Sequence, residues 1–303
     1  MGVLLAALSA LLYGSADFMG GLASRRELAL AITWYSQIVG LVTITAVAIF
    51  VPAASLHVSD WGWGALGGLA GAAGLLLLYG ALAVGPMDVV APVTAVCSAI
   101  VPVVAGVLVD GDRPTAAAIA GIVCALPAIV LVAGAGSGVG QVSVAPRVLA
   151  ESIVSGAMFG LFFVFFARAG DGAGMWPTVS ARLASVSALC LVVIVRRFRR
   201  LAASAAHATG ADGAERTHGS GLRVAAGSVP LIIGAGALDV GANGVYLVAS
   251  RNGLLSLISV VSAMYPAATV ALARVVLRER LARPQVVGLV LAGLAVGLVA
   301  AGR

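Results

Sequence analysis

Charge is scarce in this chain. Of its 303 residues 10% are charged and 61% hydrophobic, whereas a soluble domain carries about 25% charged residues. Lysine is absent, and all 18 basic residues are arginine. So few polar side chains could not cover a water-exposed surface, which excludes a soluble single domain. Histidine and cysteine number three each. His57, His207 and His218 fall in expected loops without ligand spacing, so no metal site is expected, and no cofactor. Cys97, Cys124 and Cys190 lie inside apolar runs, where cysteine acts as a small packing residue rather than a disulfide partner. No G-x-x-x-x-G-K-[ST] loop is present, so the chain carries no nucleotide-driven pump of its own. Aromatic residues make up 6%, which weighs mildly against a large aromatic drug pocket.

What the sequence has instead is a succession of apolar runs of 18 residues or more, each long enough to cross a bilayer as a helix. The fold class expected is an all-α integral membrane protein. Ten transmembrane helices are predicted, at Gly2–Leu22, Leu28–Val51, Trp63–Val84, Val89–Val109, Thr115–Ala133, Val148–Ala167, Trp176–Val195, Val224–Ser250, Leu254–Val276 and Pro284–Ala301. The first run lacks a basic leader and carries Asp17 near its end, so it reads as a helix, not a cleavable signal. A polar loop rich in Arg, Ala, Gly and Asp is expected over 196–223. The run RRFRR at 196–200 suits a membrane surface better than a nucleic acid, and no nucleic-acid partner is expected.

The chain repeats itself. Tyr246–Gly302, moved back 167 positions, places Tyr246 on Tyr79, Arg280 on Arg113 and Gly288 on Gly121, with Glu279 over Asp112. Each copy reads as an apolar helix, a short charged turn and a second apolar helix. YGSADF at 13–18 also lies loosely over FGLFFV at 159–164. The Gly/Ser-rich stretch 136–147 marks a hinge between a first repeat, 1–135, and a second, 148–303. Five helices per half is an odd number, so the halves insert with opposite orientation, the inverted-repeat plan of many secondary transporters. Glycines 64, 67, 68, 71 and 74 in the third helix, and Gly293 and Gly297 in the tenth, are expected to admit close helix packing.

The loops after odd-numbered helices hold most of the arginines: Arg25, Arg26, Arg147, the 196–223 group, Arg278, Arg280 and Arg283. The positive-inside rule then puts both termini outside.

Ten helices in five-plus-five repeats, with an acidic–Arg turn in each, resemble the EamA type of the drug/metabolite transporter superfamily. Repeats of that type typically read Pro, a dozen apolar residues, Gly-Glu-Arg, then a Gly-rich last helix. Here the second copy has Pro266, Arg278-Glu279-Arg280 and Gly288, without the glycine before the glutamate. The first has Gly111-Asp112-Arg113 and Gly121, with Asp for Glu and Pro102 three positions late. The resemblance spans nearly the whole chain. It implies a small-molecule transporter with cytoplasmic termini, in contrast to the arginine distribution, and no particular substrate.

An ionisable group inside a membrane helix is costly and calls for a reason. Asp239, Asn243 and Tyr246 are spaced four and three apart and share one face of the eighth helix. Burial disfavours a charged carboxyl, so Asp239 suits a proton carrier or the counter-charge of an amine. A structural bond between helices is the other reading. Arg182, on the face of Thr178 and Ser185, can hold a carboxylate or phosphate through two parallel hydrogen bonds, or pair with Asp239. Gln37 stands at roughly the equivalent place in the second helix. Tyr13 and Asp17 share a face of the first, where Asp17 is either a second cavity acid or an interfacial, snorkelling group. Trp34, Trp61, Trp63 and Trp176 lie near helix starts, as an interfacial belt does, and Trp34 is the deepest and best placed to face a cavity. Pro92, Pro102 and Pro266 free backbone carbonyls that Ser98, Ser259 or Ser262 can meet. Asp112 and Glu279, each beside an arginine, fit turns better than a substrate site.

The reading that follows is a secondary transporter of the inner or plasma membrane, not an enzyme. It exports a small polar, amino-acid-like metabolite or drug by alternating access, with protons as a candidate coupling ion. The rivals are a non-transporting scaffold or subunit and a membrane-embedded enzyme. The latter lacks the acid–base clusters it would need.

Overall fold

The computed structural model describes residues 2–105, 115–132, 144–166, 168–208, 222, 224–251, 265–278 and 283–301. Among them the chain forms α1 (Gly2–Ser24), α2 (Ala29–Phe50), α3 (Val58–Val84), α4 (Met87–Ala105), α5 (Ala116–Val132), α6 (Pro146–Phe166), α7 (Trp176–Ala208), α8 (Val229–Arg251), α9 (Tyr265–Leu272) and α10 (Arg283–Ala301). Six stretches are long and apolar enough to cross a membrane: Leu4–Ser24, Ala29–Phe50, Val58–Val84, Pro146–Phe166, Trp176–Phe198 and Ala226–Tyr246. Shorter apolar stretches, Val89–Ser98, Ala268–Leu277 and Val286–Ala295, lie in α4, α9 and the π turn after it, and α10.

Three boundaries differ from those expected. The polar loop does not begin at Arg196: α7 runs on through RRFRRLAASAAHA to Ala208. Arginine, leucine and alanine are strong helix formers, so leaving the apolar phase does not end the helix. α3 begins five residues before Trp63, at Val58, because Asp60 in its first turn accepts the His57 backbone N–H at 2.8 Å. A carboxylate there satisfies an orphan donor at the positive end of the helix dipole. α8 begins at Val229, after a 3₁₀ turn at Ala226–Ser228. Of the expected ninth helix, 254–264 lies outside the described residues, as do Ser259, Ser262, Asp112, Glu279 and 136–143 of the hinge. Ser98 donates to the Ala95 carbonyl at 2.8 Å, within its own turn.

Lipid gives leucine no reason to prefer leucine, so close backbone approach has to hold such helices together. α3 provides it on two faces. A Cβ at Gly64 would collide with the Pro177 carbonyl and one at Gly68 with the Ala181 carbonyl, both on α7. Cβ atoms at Gly67 and Gly71 would lie 3.0 and 3.2 Å from the rings of Phe166 and Phe162 on α6. The expected role of Gly297 does not hold: nothing described lies within 4 Å of a Cβ there. α1 packs chiefly on α8, α3 on α6 and α7, and α5 on α10.

Two carboxylates tie the bundle at opposite ends of α2. Asp60, 3% exposed, also accepts the Gly170 N–H at 2.8 Å through its second oxygen, joining α3 to the turn between α6 and α7. Just before α2, Glu27 accepts the Ala225 N–H at 2.9 Å and the Ser228 hydroxyl at 3.2 Å, at the entry to α8. The indole of Trp61 lies 5.9 Å from that of Trp176, and the Arg168 guanidinium stands 5.6 Å above Trp63.

The second charged turn is entered through a π turn, Ala273–Leu277, and Arg278 takes the left-handed conformation with φ of 57°. This is the position where repeats of the resembled type carry glycine. Left-handed backbone costs an L-residue roughly 1–2 kcal/mol, which glycine avoids.

Arg278→Gly is therefore expected to stabilise the purified protein by about 1 kcal/mol, read as a higher Tm in detergent. A lowered Tm would show that the arginine side chain outweighs the backbone strain. Gly68→Val is expected to cost about 1–3 kcal/mol or more through overpacking against α7, with Gly297→Val within about 0.5 kcal/mol of wild type. Equal losses in the two would refute the assignment of close packing to α3.

Candidate functional site: a buried ion pair between three helices

α2 turns Val42, Val47 and Ile49 outward, and α8 turns Val229, Ile233 and Val248 outward. The residues opposite these stripes meet inside. Gly40 makes room for the most demanding of them. A Cβ there would lie 3.4 Å from the guanidinium carbon of Arg182 and 3.2 Å from Val240. Through that space Arg182 on α7 donates one N–H to Gln37 Oε1 on α2 and another to Asp239 Oδ2 on α8. The Arg182 side chain is 11% exposed and that of Asp239 26%. Two charges removed from water gain enough from each other only with good geometry and further hydrogen bonds, and Gln37 supplies one of these.

The network continues to α1. Asn243 Nδ2 donates to the Asp239 backbone carbonyl at 2.8 Å, one turn back on the same helix. This orients the amide so that its oxygen accepts the Tyr13 hydroxyl at 2.9 Å. The Tyr13 ring meets the edge of Tyr265, at the start of α9, with centroids 6.3 Å apart. Ser9 donates to the Ala242 carbonyl at 3.0 Å and Thr269 to the Gly14 carbonyl at 3.1 Å, which hold α1 between α8 and α9.

Five of the eight expected site residues thus form one connected set: Tyr13, Gln37, Arg182, Asp239 and Asn243. Asp17, one turn beyond Tyr13, stands within electrostatic reach of Asp239, Tyr79 and Tyr265. Tyr246 shares the face of Asp239 but packs at the α1–α8 junction on Leu5, Ala6 and Ala249. Trp34 lies apart, among Leu30, Ala72 and Leu189, with its ring 5.2 Å from that of Tyr35. Its buried indole N–H has no acceptor among the described residues. Thr178 and Ser185 stay buried on the face of Arg182, and Ser185 donates to the Arg182 carbonyl at 3.0 Å. Tyr265 and Tyr79 were not anticipated at the site. The match of Tyr79 to Tyr246 at the 167-residue offset is a signal for Tyr79, and nothing in the local pattern marks Tyr265. Among the described residues no three His, Cys, Asp or Glu side chains converge as metal ligands would.

Several helices fit to cross a bilayer, packed around an internal ion pair, define a multi-pass membrane protein. Residues 1–134 match the EamA-like transporter family. Over that part the chain is similar to this family, which lies within the drug/metabolite transporter superfamily. A solved crystal structure of a protein, described no further, matches with a TM-score of 0.60 over 97% of this chain and 96% of its own, at 16% identity. That likeness shows a shared fold. No curated protein matches the chain significantly.

Removing one partner of a buried ion pair leaves the other uncompensated, at a cost of about 3–5 kcal/mol. Arg182→Met is expected to lower stability by an amount of this order, and Arg182→Met with Asp239→Leu to recover most of it. Thermal unfolding of the three proteins in one detergent measures both. A double variant as unstable as the single one would show that the two charges are not coupled.

Proposed function

We propose that this protein is a ten-helix secondary transporter in which two inverted five-helix repeats enclose a substrate site at the Arg182–Asp239 pair. The observation that carries the reading is the pair itself: two ionisable groups kept inside spanning helices and joined to a third helix through Gln37. A scaffold would gain nothing from so costly an arrangement, whereas a transporter gains a polar site that its substrate can enter and reorganise.

The packing supports the repeat, 1–135 against 148–303 across a hinge at 136–147. A Cβ at Gly14 would strike the Tyr265 carbonyl and the Ala268 Cβ; one at Gly160 would meet the Ser98 carbonyl and the Val101 Cβ. Gly160 lies 146 positions after Gly14, and Tyr265 and Ala268 lie 167 after Ser98 and Val101. A similar exchange, one position out of register, relates Ser9, which donates to the Ala242 carbonyl of α8, to Ser155, which donates to the Gly74 carbonyl of α3 at 2.7 Å. Two halves that make the same contacts in swapped roles suit alternating access, in which one arrangement becomes the other by exchange of conformations between repeats.

Substrate carboxylate can compete for the Arg182 guanidinium, and substrate ammonium for Asp239, which fits a small polar, amino-acid-like metabolite or a drug. Tyr13, Asp17, Trp34, Gln37, Asn243 and Tyr246 complete the proposed lining. Export across the inner or plasma membrane, with Asp239 as a proton carrier, is the direction and coupling we favour.

Proteoliposomes holding the full chain, loaded with single radiolabelled amino acids, polyamines or cationic drugs, test this through counterflow. Wild type is expected to exchange at least one class, and Asp239→Asn and Arg182→Ala to exchange it about tenfold more slowly or worse. Exchange at the wild-type rate in both variants would remove the ion pair from the site. Loss of pH dependence in Asp239→Asn supports the proton role, and an unchanged pH profile removes it.

A further inference from the structure

The polar interior holds more acid than base. Arg182 and Asp239 neutralise one another, which leaves Asp17 among the described side chains around them. Leu4, Leu8 and Leu11 on α1 face outward, and Ser15 continues that stripe. Asp17 comes two residues after Ser15, about 200° round the helix, so its carboxyl points into the bundle. Gly14 and Gly20 stand three residues to either side of it. At Gly14 the backbone of Tyr265 comes close, and the Tyr79 ring lies against Gly20. Asp17 is half-buried, and so are Tyr13 and Tyr265, whose rings meet edge to face. No hydrogen bond or ion pair to Asp17 exists among the described residues.

The charged groups around Asp17 do not complete it. Among the described residues, α8 presents Asp239, of like charge, and α3 and α9 present the phenols of Tyr79 and Tyr265. Gln37 of α2 is engaged by Arg182. A carboxylate left so, inside a membrane protein, gains most from a positive charge brought to it or from a proton. Aromatic ring faces attract organic cations and give nothing comparable to anions.

We propose that Asp17, with the rings of Tyr13 and Tyr265, binds the cationic head of a small organic ammonium substrate. This rests on the transport reading and narrows it. The ammonium sits against the Asp17 carboxylate, and the remainder of the ligand extends toward Asn243 and the Arg182–Asp239 pair. A zwitterion or a simple amine satisfies the arrangement; a purely anionic ligand meets two carboxylates and one arginine that is already bound.

The test is binding to the full-length protein in detergent, followed by thermal stability and by titration calorimetry. The probes are choline, putrescine and benzylamine, each against an uncharged isostere such as 3,3-dimethylbutanol, with acetate and glutamate as acidic controls. At least one cation is expected to raise the Tm of wild type while its neutral isostere does not. Asp17→Asn is expected to weaken that cation roughly tenfold or more, with Asp17→Glu retaining part of the affinity. Asp17→Asn without ligand is expected to be at least as stable as wild type, because it removes an unpartnered charge. A destabilised Asp17→Asn would show that the carboxylate has a structural partner and overturns the proposal. So does cation binding that survives this substitution, or a wild type that ignores every cation. An acidic probe whose effect depends on Arg182 and not on Asp17 also overturns it, while leaving the transport reading intact. Counterflow, run separately, judges that reading by itself.

Discussion

A guanidinium placed between hydrocarbon-facing helices must be met on every side that water would have served. In this protein that requirement falls on Arg182. Its position is affordable only because α2 carries glycine at 40, leaving the guanidinium a place, and because Gln37 and Asp239 reach it from two other helices. Remove any of these and the remaining groups are stranded in a medium that penalises them by several kcal/mol. The orientation of Asn243, and through it the hydrogen bond that fixes Tyr13 of α1, follows from the same anchor on α8. This polar network therefore joins four helices, α1, α2, α7 and α8, in addition to the close packing at their glycines.

Much of this was legible in advance, and the rest was hidden for physical reasons. Hydrophobic length marks helices well, because the bilayer imposes it, and the i, i+4 spacing of Asp239 and Asn243 puts them on one face without knowledge of the fold. The spacing of Gly64 and Gly68 likewise anticipated a tight contact, though not that α7 would be the partner. The union of Gln37 with Arg182 and Asp239 is tertiary: the three residues are separated by 145 and 57 positions, and no local pattern states which helices will touch. The continuation of α7 past Arg196 is invisible to hydrophobic length, because the end of an apolar run is not the end of a helix. These are separate properties, one set by lipid and the other by backbone hydrogen bonding. Nothing local in the sequence marks Asp60 and Glu27, since their partners, backbone N–H groups and one serine hydroxyl, are not distinguished by sequence.

The repeat offers a second lesson. Identical residues at a fixed offset are few, yet contacts at that offset recur. Gly14 and Gly160 each receive the backbone of a helix whose residues correspond at 167 positions, although Tyr265 and Ser98 differ in size and shape. What is retained between the halves is the absence of a Cβ where two backbones cross. The charged groups are not retained: Asp17, Arg182 and Asp239 have no charged counterparts at these offsets. In the repeat reading proposed above, the frame is close to symmetric and the polar chemistry within it lies to one side.

The carboxylates of Asp60 and Glu27 bear on how such a frame can move. Each joins an interhelical turn to the entry of a helix from the other half of the chain, and they do so at opposite ends of α2. Asp60 is almost wholly enclosed and accepts two backbone N–H groups. Parting that end would strand both the carboxylate and its donors. In the transport cycle proposed above, ties at both ends at once would not serve as the door that opens one mouth while the other is shut. They would act instead as fulcrums about which the halves rock, and whatever opens would be the helices farthest from them.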